Sequence, residues 1–269
     1  MITESFLWVA ERVPAVRRAL WRGFFEFAAS YFRHADFWSF MNYGYADDAP
    51  PKLKAADWDE RYPAYLYYRV ASRVDLKDRD VLEVSSGRGG GASYVKRYLG
   101  PRKLIGLDIA ASAVAFCRRV HKVDGLEFRQ GDAERLPFAD ASFDAVINVE
   151  ASFCYPTIER FYAEVKRVLR PGGYFLYADL RWEQEIPEFD RRLAESGLAL
   201  IERTEITKNV VAALDLDSDR RRAANVREVP RVLQSLFGKF IGVSGTRIPV
   251  ELGSGRMRYF ACVLKKNPG

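Results

Sequence analysis

Acidic and amide side chains recur along the middle of this chain, each directly after an apolar segment. They are Asp108, Asp132 with Ala133 beside it, Asn148 with Glu150, and Asp179. A carboxylate can accept two ribose hydroxyl groups, and a carboxylate beside a backbone N–H can recognise the amino and ring nitrogens of an adenine. A carboxylate held in a cleft can also take a proton from a reacting group. The series therefore predicts one site for an adenosyl ligand, with a base nearby.

A glycine-rich loop precedes this series. Four glycines fall between Gly87 and Gly91, after the apolar run that contains Glu83 and Ser85. Glycine allows a sharp turn and close approach of a ligand to the backbone, and the helix that follows directs its free N–H groups at the ligand. Asp108 comes 21 residues after Gly87, the spacing of a ribose-binding carboxylate. We include Glu83, Ser85, Gly87, Gly89 and Asp108 among the predicted cofactor residues.

The elements that must position these residues alternate between strand and helix. We predict strands at 80–85, 103–108, 126–130, 143–149, 173–179, 198–206 and 256–265, and helices at 90–99, 110–122, 157–169 and 185–196. Such alternation implies crossover connections and an α/β fold with a mostly parallel, seven-stranded sheet covered by helices on both faces. Ligands of such sheets bind at the carboxyl ends of the strands.

Two further regions lie outside this alternation. Residues 1–74 form a predicted aromatic helical cap and linker, and residues 75–269 form the binding domain, with a lid-like insertion at 207–255. Two interpretations of the cap compete. Its aromatic and arginine residues suit either a helix pair that walls the ligand pocket or a basic amphipathic element on a membrane surface. The same helices could also pack against a second subunit.

Composition excludes several classes of protein. Net charge is +6 and the pI is about 9.2, but the basic residues are spread along the chain and no base-flipping motif occurs, so we do not expect nucleic acid as a partner. The three cysteines lack metal-ligand spacing, and we expect neither a metal nor disulfides. No apolar run reaches the ~20 residues of a membrane span, and charges interrupt the N-terminus, so we expect a cytoplasmic protein.

The motifs as a set resemble those of class I S-adenosylmethionine-dependent methyltransferases. Besides the glycine loop and Asp108, the matching segments are Gly131–Phe138, Ser142–Asp144 and Val168–Gly173. A closer resemblance, from about Asn42 to Lys265, is to the phthiotriol/phenolphthiotriol dimycocerosate methyltransferases, which O-methylate a hydroxyl on a long lipid-like polyketide. It is carried by Val81–Ser93, Asn148–Ser152, Cys154–Pro156, Arg170–Phe175 and Tyr177–Arg181.

The resemblance implies a Rossmann-like fold and S-adenosylmethionine as cofactor. Asp132 and Ala133 would join Gly87, Gly89 and Asp108 in binding it, with Asn148 near its methionine end. Ile109, next to Asp108, is included with them. Tyr43 lies in Met41–Tyr45, which matches a segment that folds over the cofactor in related enzymes.

The base is where the chain departs from this pattern. Phe153 stands where the similar enzymes have a histidine. Glu150 and Asp179 are then the candidate bases, and Tyr155 could orient the acceptor or simply pack. Glu150 could instead accept a backbone N–H, and Asp179 could instead hold an arginine such as Arg181.

Three functions remain open from the sequence. The first is O-methylation of a hydroxyl on a polyketide or lipid-like molecule, a large and mainly apolar acceptor. The second is C-methylation of an isoprenoid-type alkene, in which aromatic faces would stabilise a carbocation. The third is a cyclase or binding module that holds the cofactor without transferring its methyl group.

Overall fold

A single seven-stranded sheet organises the molecule. In the computed structural model, which describes residues 14–35, 38–229, 231, 234 and 246–268, the strand order is β3-β2-β1-β4-β5-β7-β6. The strands are β1 (Asp80–Val84), β2 (Lys103–Asp108), β3 (Leu126–Gln130), β4 (Phe143–Val149), β5 (Leu169–Trp182), β6 (Ala199–Glu205) and β7 (Met257–Lys265). Pairing is parallel from β3 to β5, whereas β7 is antiparallel to both β5 and β6. This confirms the predicted mostly parallel, Rossmann-like sheet.

Helices cover both faces of the sheet. They are α1 (Pro14–Tyr31), α2 (Arg61–Ala71), α3 (Gly90–Leu99), α4 (Ala111–Val120), α5 (Ile158–Val168), α6 (Ile186–Glu195), α7 (Thr207–Leu216), α8 (Ser218–Glu228) and α9 (Arg247–Gly253). One core contains Leu66 of α2 and Val95 of α3, and the other contains Phe161 of α5 and Phe189 of α6. Both faces of the central strands are therefore buried, which is why these strands read as nearly continuous apolar runs.

The start of β5 differs from the prediction. We expected the strand to begin at Gly173, after a turn, but β5 already pairs with β4 at Leu169. The register then moves from Phe143 opposite Leu169 to Ala145 opposite Tyr174, so the intervening residues bulge out of the ladder. Gly172 sits in this bulge with φ of +79°, a conformation that glycine adopts without strain.

The N-terminal region packs on the sheet domain through two helices. Glu26 of α1 accepts a hydrogen bond from Ser112 N of α4 at 3.2 Å, and Glu26 O accepts one from Ser112 Oγ. Helix α2 shares a core with β1. The boundary at residue 74 stays a prediction, and the aromatic residues before Pro14 lie outside the described residues. Within the described ranges, no helix has both the length and the apolar character that crossing a membrane requires.

Candidate active site

A large cavity opens at the carboxyl ends of the parallel strands. Its volume, including the space at its open mouth, is about 1480 Å³. One wall is polar and carries the glycine loop, and the other is aromatic and carries Trp21, Phe25 and Phe32 of the cap together with Phe153.

The polar wall is built around Asp108. Its Oδ2 accepts a hydrogen bond from Gly87 N at 2.8 Å, and its Oδ1 accepts one from Ala110 N at 2.9 Å. These bonds tie the end of β2 to the glycine loop, where Gly87 has φ of +53° and Gly89 of +76°. Burial raises the pKa of the Asp108 carboxyl to about 6, partly offset by these backbone N–H groups.

Seven of the predicted cofactor residues line the cavity. These are Tyr43, Ser85, Gly87, Asp108, Ile109, Asp132 and Ala133. Three others, Glu83, Gly89 and Asn148, are buried behind the wall. Glu83 Oε1 accepts a bond from the Tyr67 hydroxyl at 2.6 Å, and a side chain on Gly89 would collide with Phe128. In the structure these three therefore contact the residues behind the loop.

Tyr155 is a fixed part of the wall. Its hydroxyl lies 2.6 Å from Ser85 Oγ and accepts a hydrogen bond from Asn148 Nδ2 at 2.9 Å. Asn148 Nδ2 also donates to Val84 O at 2.9 Å. Burial raises the pKa of the Tyr155 hydroxyl above its ordinary range. The tyrosine thereby links the ends of β1 and β4.

Glu150 is the carboxylate that faces the cavity next to Phe153. Its φ of +50° is unusual for a residue other than glycine, and such backbone strain is concentrated at functional sites. Glu150 Oε1 accepts hydrogen bonds from Tyr43 N at 2.8 Å and from the Tyr259 hydroxyl at 2.9 Å. Burial raises the pKa of this carboxyl to about 8 despite these donors.

Asp179 occupies a different position from Glu150. It does not line the cavity. Its Oδ2 accepts from Ser152 Oγ at 2.5 Å and from Phe153 N at 3.1 Å, and it forms an ion pair with Arg181 Nη1 at 3.1 Å. Its Oδ1 accepts from Leu180 N at 2.8 Å. The contacts are those of the alternative role considered from the sequence, in which Asp179 holds Arg181.

Several residues of the site were missed by sequence reasoning. Arg88, inside the glycine loop, donates to the backbone oxygens of Phe32, Ala35 and Trp38 and so binds the cap to the loop. Tyr259 donates to Glu150 from 109 residues away along the chain. An arginine among glycines is a weak signal, and nothing local marks a tyrosine in the last strand as part of this site.

Comparison with known proteins settles which class of site this is. A methyltransferase domain family model matches residues 82–177. A probable phthiotriol/phenolphthiotriol dimycocerosates methyltransferase 2 from Mycobacterium ulcerans is 46% identical over 79% of this chain and 83% of its own length. A fatty-acid O-methyltransferase from Mycolicibacterium smegmatis is 44% identical over 75% of this chain and 74% of its own. The chain belongs to this methyltransferase family.

Solved structures agree on the fold of the methyltransferase. The cyclase SpnF superposes with a TM-score of 0.68 at 17% identity, covering 92% of this chain and 95% of its own. Identity that low is evidence for the fold alone. The much closer sequence relatives are named as methyltransferases, one of them as an O-methyltransferase. C-methylation of an alkene and cyclisation without methyl transfer are therefore not favoured.

The methyltransferase depends on S-adenosylmethionine, and the polar wall fits that molecule. The Asp108 carboxylate accepts backbone N–H groups at both oxygens and, with about four acceptor positions in all, keeps capacity for a ribose hydroxyl. Among the residues that the structure describes, Ser86 lines the cavity and its buried Oγ has no hydrogen-bond partner. Buried polar atoms without partners are rare, so this part of the glycine loop is suited to a polar ligand.

Proposed function

We propose that this methyltransferase O-methylates a hydroxyl group of a polyketide or lipid-like molecule and that Glu150 is the base. One observation carries the proposal. The Glu150 carboxyl lies on the cavity wall with its pKa raised to about 8 by burial. It is close in sequence to Phe153, at the position where the resemblance to the phthiotriol/phenolphthiotriol dimycocerosate methyltransferases implies a histidine. A carboxylate with this pKa can replace an imidazole near neutral pH.

The geometry of Glu150 suits proton transfer. S-adenosylmethionine supplies the methyl group, whose bond to sulfur breaks as the bond to the acceptor oxygen forms. Glu150 receives the proton that the hydroxyl loses. Tyr43 N and Tyr259 OH hold Oε1, whereas Oε2 has no hydrogen-bond partner within the described part of the chain. We assign proton transfer to Oε2, because the bonds to Oε1 fix the side chain and stabilise its charged form.

Asp179 and Tyr155 receive supporting roles in this proposal. The hydrogen bonds that Asp179 accepts from Ser152 and Phe153 hold the short segment after Glu150 in place. The Tyr155 hydroxyl is engaged by Ser85 and Asn148, and its raised pKa keeps it protonated near neutral pH, so it offers no phenolate as a base. Asp179 does not line the cavity, and Tyr155 lines it but carries no carboxylate. Neither group therefore presents a carboxylate oxygen to the acceptor.

The aromatic wall supports a large apolar acceptor. Trp21 of the cap lies edge-on to Phe153 with ring centroids 6.1 Å apart, and it stacks on Phe25 at 5.6 Å. These rings offer apolar surface next to Glu150 and shield the carboxylate from water. The names of the relatives point to lipid acceptors, namely phthiotriol or phenolphthiotriol dimycocerosates and fatty acids. An alkyl chain along this wall is the simplest occupant.

The test compares two acceptors of equal chain length, a long-chain secondary alcohol and a fatty acid. Purified enzyme receives methyl-labelled S-adenosylmethionine, and products are identified by mass spectrometry. Wild-type enzyme should form the methyl ether. Glu150→Gln should reduce ether formation by about 10²–10⁴-fold, the usual contribution of a positioned base, while binding the cofactor normally. Asp179→Asn serves as the comparison: it should keep ether formation and move the acidic limb of turnover to lower pH, because the charge of Asp179 raises the pKa of Glu150.

The fatty acid separates two outcomes. Its carboxyl group is already ionised near neutral pH and needs no base, so E150Q should methylate it as well as wild type does. If the methyl ester were the sole product, the acceptor would be a carboxylate and not a hydroxyl group. Full ether-forming activity of E150Q would refute the base. Methylation of a carbon atom would refute O-methylation altogether.

We also propose that the cap helix α1 contacts a lipid surface from which the acceptor is taken. Leu20, Phe27 and Tyr31 are exposed on the outside of α1, and Phe27 is 54% accessible. Trp21 and Phe25 of the same helix line the cavity. Helix α1 would then lie between the membrane and the active site, and an apolar acceptor would pass along α1 to reach the cavity.

A further inference from the structure

The peptide group between Asn42 and Tyr43 is held from both sides. Its N–H, on Tyr43, donates to Glu150 Oε1 at 2.8 Å. Its oxygen, on Asn42, accepts a hydrogen bond from Arg221 Nη2 at 3.2 Å, and the same nitrogen donates to Tyr43 O at 3.1 Å. A cation at the oxygen of a peptide polarises that peptide and strengthens the bond that its N–H donates. Arg221 and Glu150 are thus joined through one amide.

Arg221 is itself fixed within the insertion. It lies in α8, is only 7% exposed, and its Nε donates to Asp217 Oδ2 at 2.9 Å. The neighbouring Arg220 binds the same carboxylate through Nε and Nη2, each at 2.6 Å. Asp217 is 3% exposed, so this junction between α7 and α8 is a rigid support. Two adjacent arginines therefore share one anchor, but the contacts to Asn42 and Tyr43 are made by Arg221.

Other hydrogen bonds also hold the segment that Arg221 contacts. Gly44 N donates to Asn42 Oδ1 at 2.8 Å, and Asn42 Nδ2 donates to Pro63 O at 3.3 Å. These bonds fix the turn after Tyr43 against α2. Without Arg221 the segment keeps its anchor to α2 and the bonds between Ala46 and Asn209 of α7, and it loses the bonds at Asn42 O and Tyr43 O.

We propose that Arg221 is a positioning residue for Glu150, acting through the Asn42–Tyr43 peptide to hold the Tyr43 N–H against the carboxylate. The inference rests on the proposed role of Glu150 as the base. It also gives the insertion between β6 and β7 a function, since within its described part no residue lines the cavity. The insertion acts on the site from outside.

The sign of the effect follows from the charges. Arg221 favours the ionised form of Glu150 directly by its charge and indirectly through the Tyr43 N–H, and both influences lower the pKa of the carboxyl. Removing the guanidinium should raise that pKa further. The acidic limb of the pH profile of kcat should therefore move to higher pH, by roughly half a unit or more.

The experiment measures kcat and KM for ether formation between pH 6 and 10 in R221M, R220M and wild type. R221M should shift the acidic limb upward, while R220M, which loses the same anchor contacts without touching Asn42 or Tyr43, should not. R221K should restore much of the wild-type limb, because it keeps the charge. R221Q takes the place of R221M should R221M fail to fold, with the same shift expected.

Three results would overturn the role of Arg221. The first is a loss of kcat in R221M that is equal at every pH and leaves the acidic limb of the pH profile where it is in wild type. The second is a shift of the acidic limb in R220M as large as that in R221M. The third is a shift of the pH profile when R221M is added to E150Q, which lacks the Glu150 carboxyl. Activity of E150Q equal to wild type would instead overturn Glu150 as the base. The two failures are therefore told apart by which variant shows the unexpected profile.

Discussion

At the scale of single residues, Asp108 makes the clearest prediction about the cofactor. Its carboxyl has a pKa of about 6 in the absence of ligand, because burial disfavours the charge. A protonated carboxyl cannot accept bonds from two ribose hydroxyls. The affinity for S-adenosylmethionine should therefore fall as the pH drops through about 6, which calorimetry at pH 5, 6, 7 and 8 would measure.

Substitution at the same position checks the assignment. Asp108→Asn should weaken binding ~100-fold at pH 7, since hydrogen bonds to a charged group contribute ~1.5–3 kcal/mol each. It should also remove most of the pH dependence. Asp124→Asn, on an exposed loop, is the control and should behave as wild type. Equal affinity of wild type at pH 5 and pH 8 would contradict the ribose role of Asp108.

The sequence could predict which residue types meet at this edge of the sheet but not which carboxylate reaches the cavity. Glu150 follows β4 and Asp179 lies near the end of β5, and both appeared as candidate bases. Which of the two carboxylates reaches the cavity depends on their partners. Asp179 is held by Arg181, which is two residues away and lies 3.1 Å from its carboxylate. Glu150 is held by Tyr259, which contacts it from the far end of the chain. Such long-range partners leave no pattern in local sequence.

At the scale of elements, the cap is attached to the glycine loop by one side chain. Arg88 is 2% exposed and binds three backbone oxygens just after α1, while its guanidinium lies 3.7 Å from the centre of the Phe116 ring. A cation bound to the backbone oxygens just beyond the carboxyl end of a helix is favourable, and it also fixes where the helix ends. The cofactor loop and the aromatic wall are therefore mechanically coupled.

Arg88→Met should loosen this attachment. Backbone amides at the end of α1 should exchange hydrogen faster by at least tenfold, which corresponds to ~1.4 kcal/mol of local stability. Hydrogen exchange followed by mass spectrometry measures this directly. Arg118→Met is the matched control, because Arg118 binds Phe128 O and not the cap. Unchanged protection in R88M would show that other contacts hold α1.

Strand and helix positions were largely predictable because hydrophobic periodicity and glycine turns are local signals. Helix α3 has the predicted bounds, and the other predicted helices differ by at most a few residues. The bulge that begins β5 was not predictable. It requires pairing of Leu169 with Phe143 on another strand, and the Pro171–Gly173 sequence alone indicates a turn.

At the scale of the whole molecule, the formal charge of +6 and the exposed face of α1 act together in the proposed lipid contact. Positive charge draws a protein to anionic lipid, and apolar side chains then hold it at the interface. Phe27 is the most exposed of the three aromatic and aliphatic side chains on that face. We therefore expect binding to vesicles of phosphatidylcholine with phosphatidylglycerol, weakening as salt is added.

Phe27→Ser should lower the vesicle partition coefficient about tenfold or more, since burying such a side chain contributes ~1.5–3 kcal/mol. Leu216→Ser is the control, because Leu216 is 62% exposed but lies on α7 and not on α1. Sedimentation with vesicles measures both, and turnover of a water-soluble short-chain alcohol checks that the site is intact. If F27S and L216S bind vesicles equally well, α1 is not the contact, and its aromatic residues serve only as the wall of the acceptor cavity.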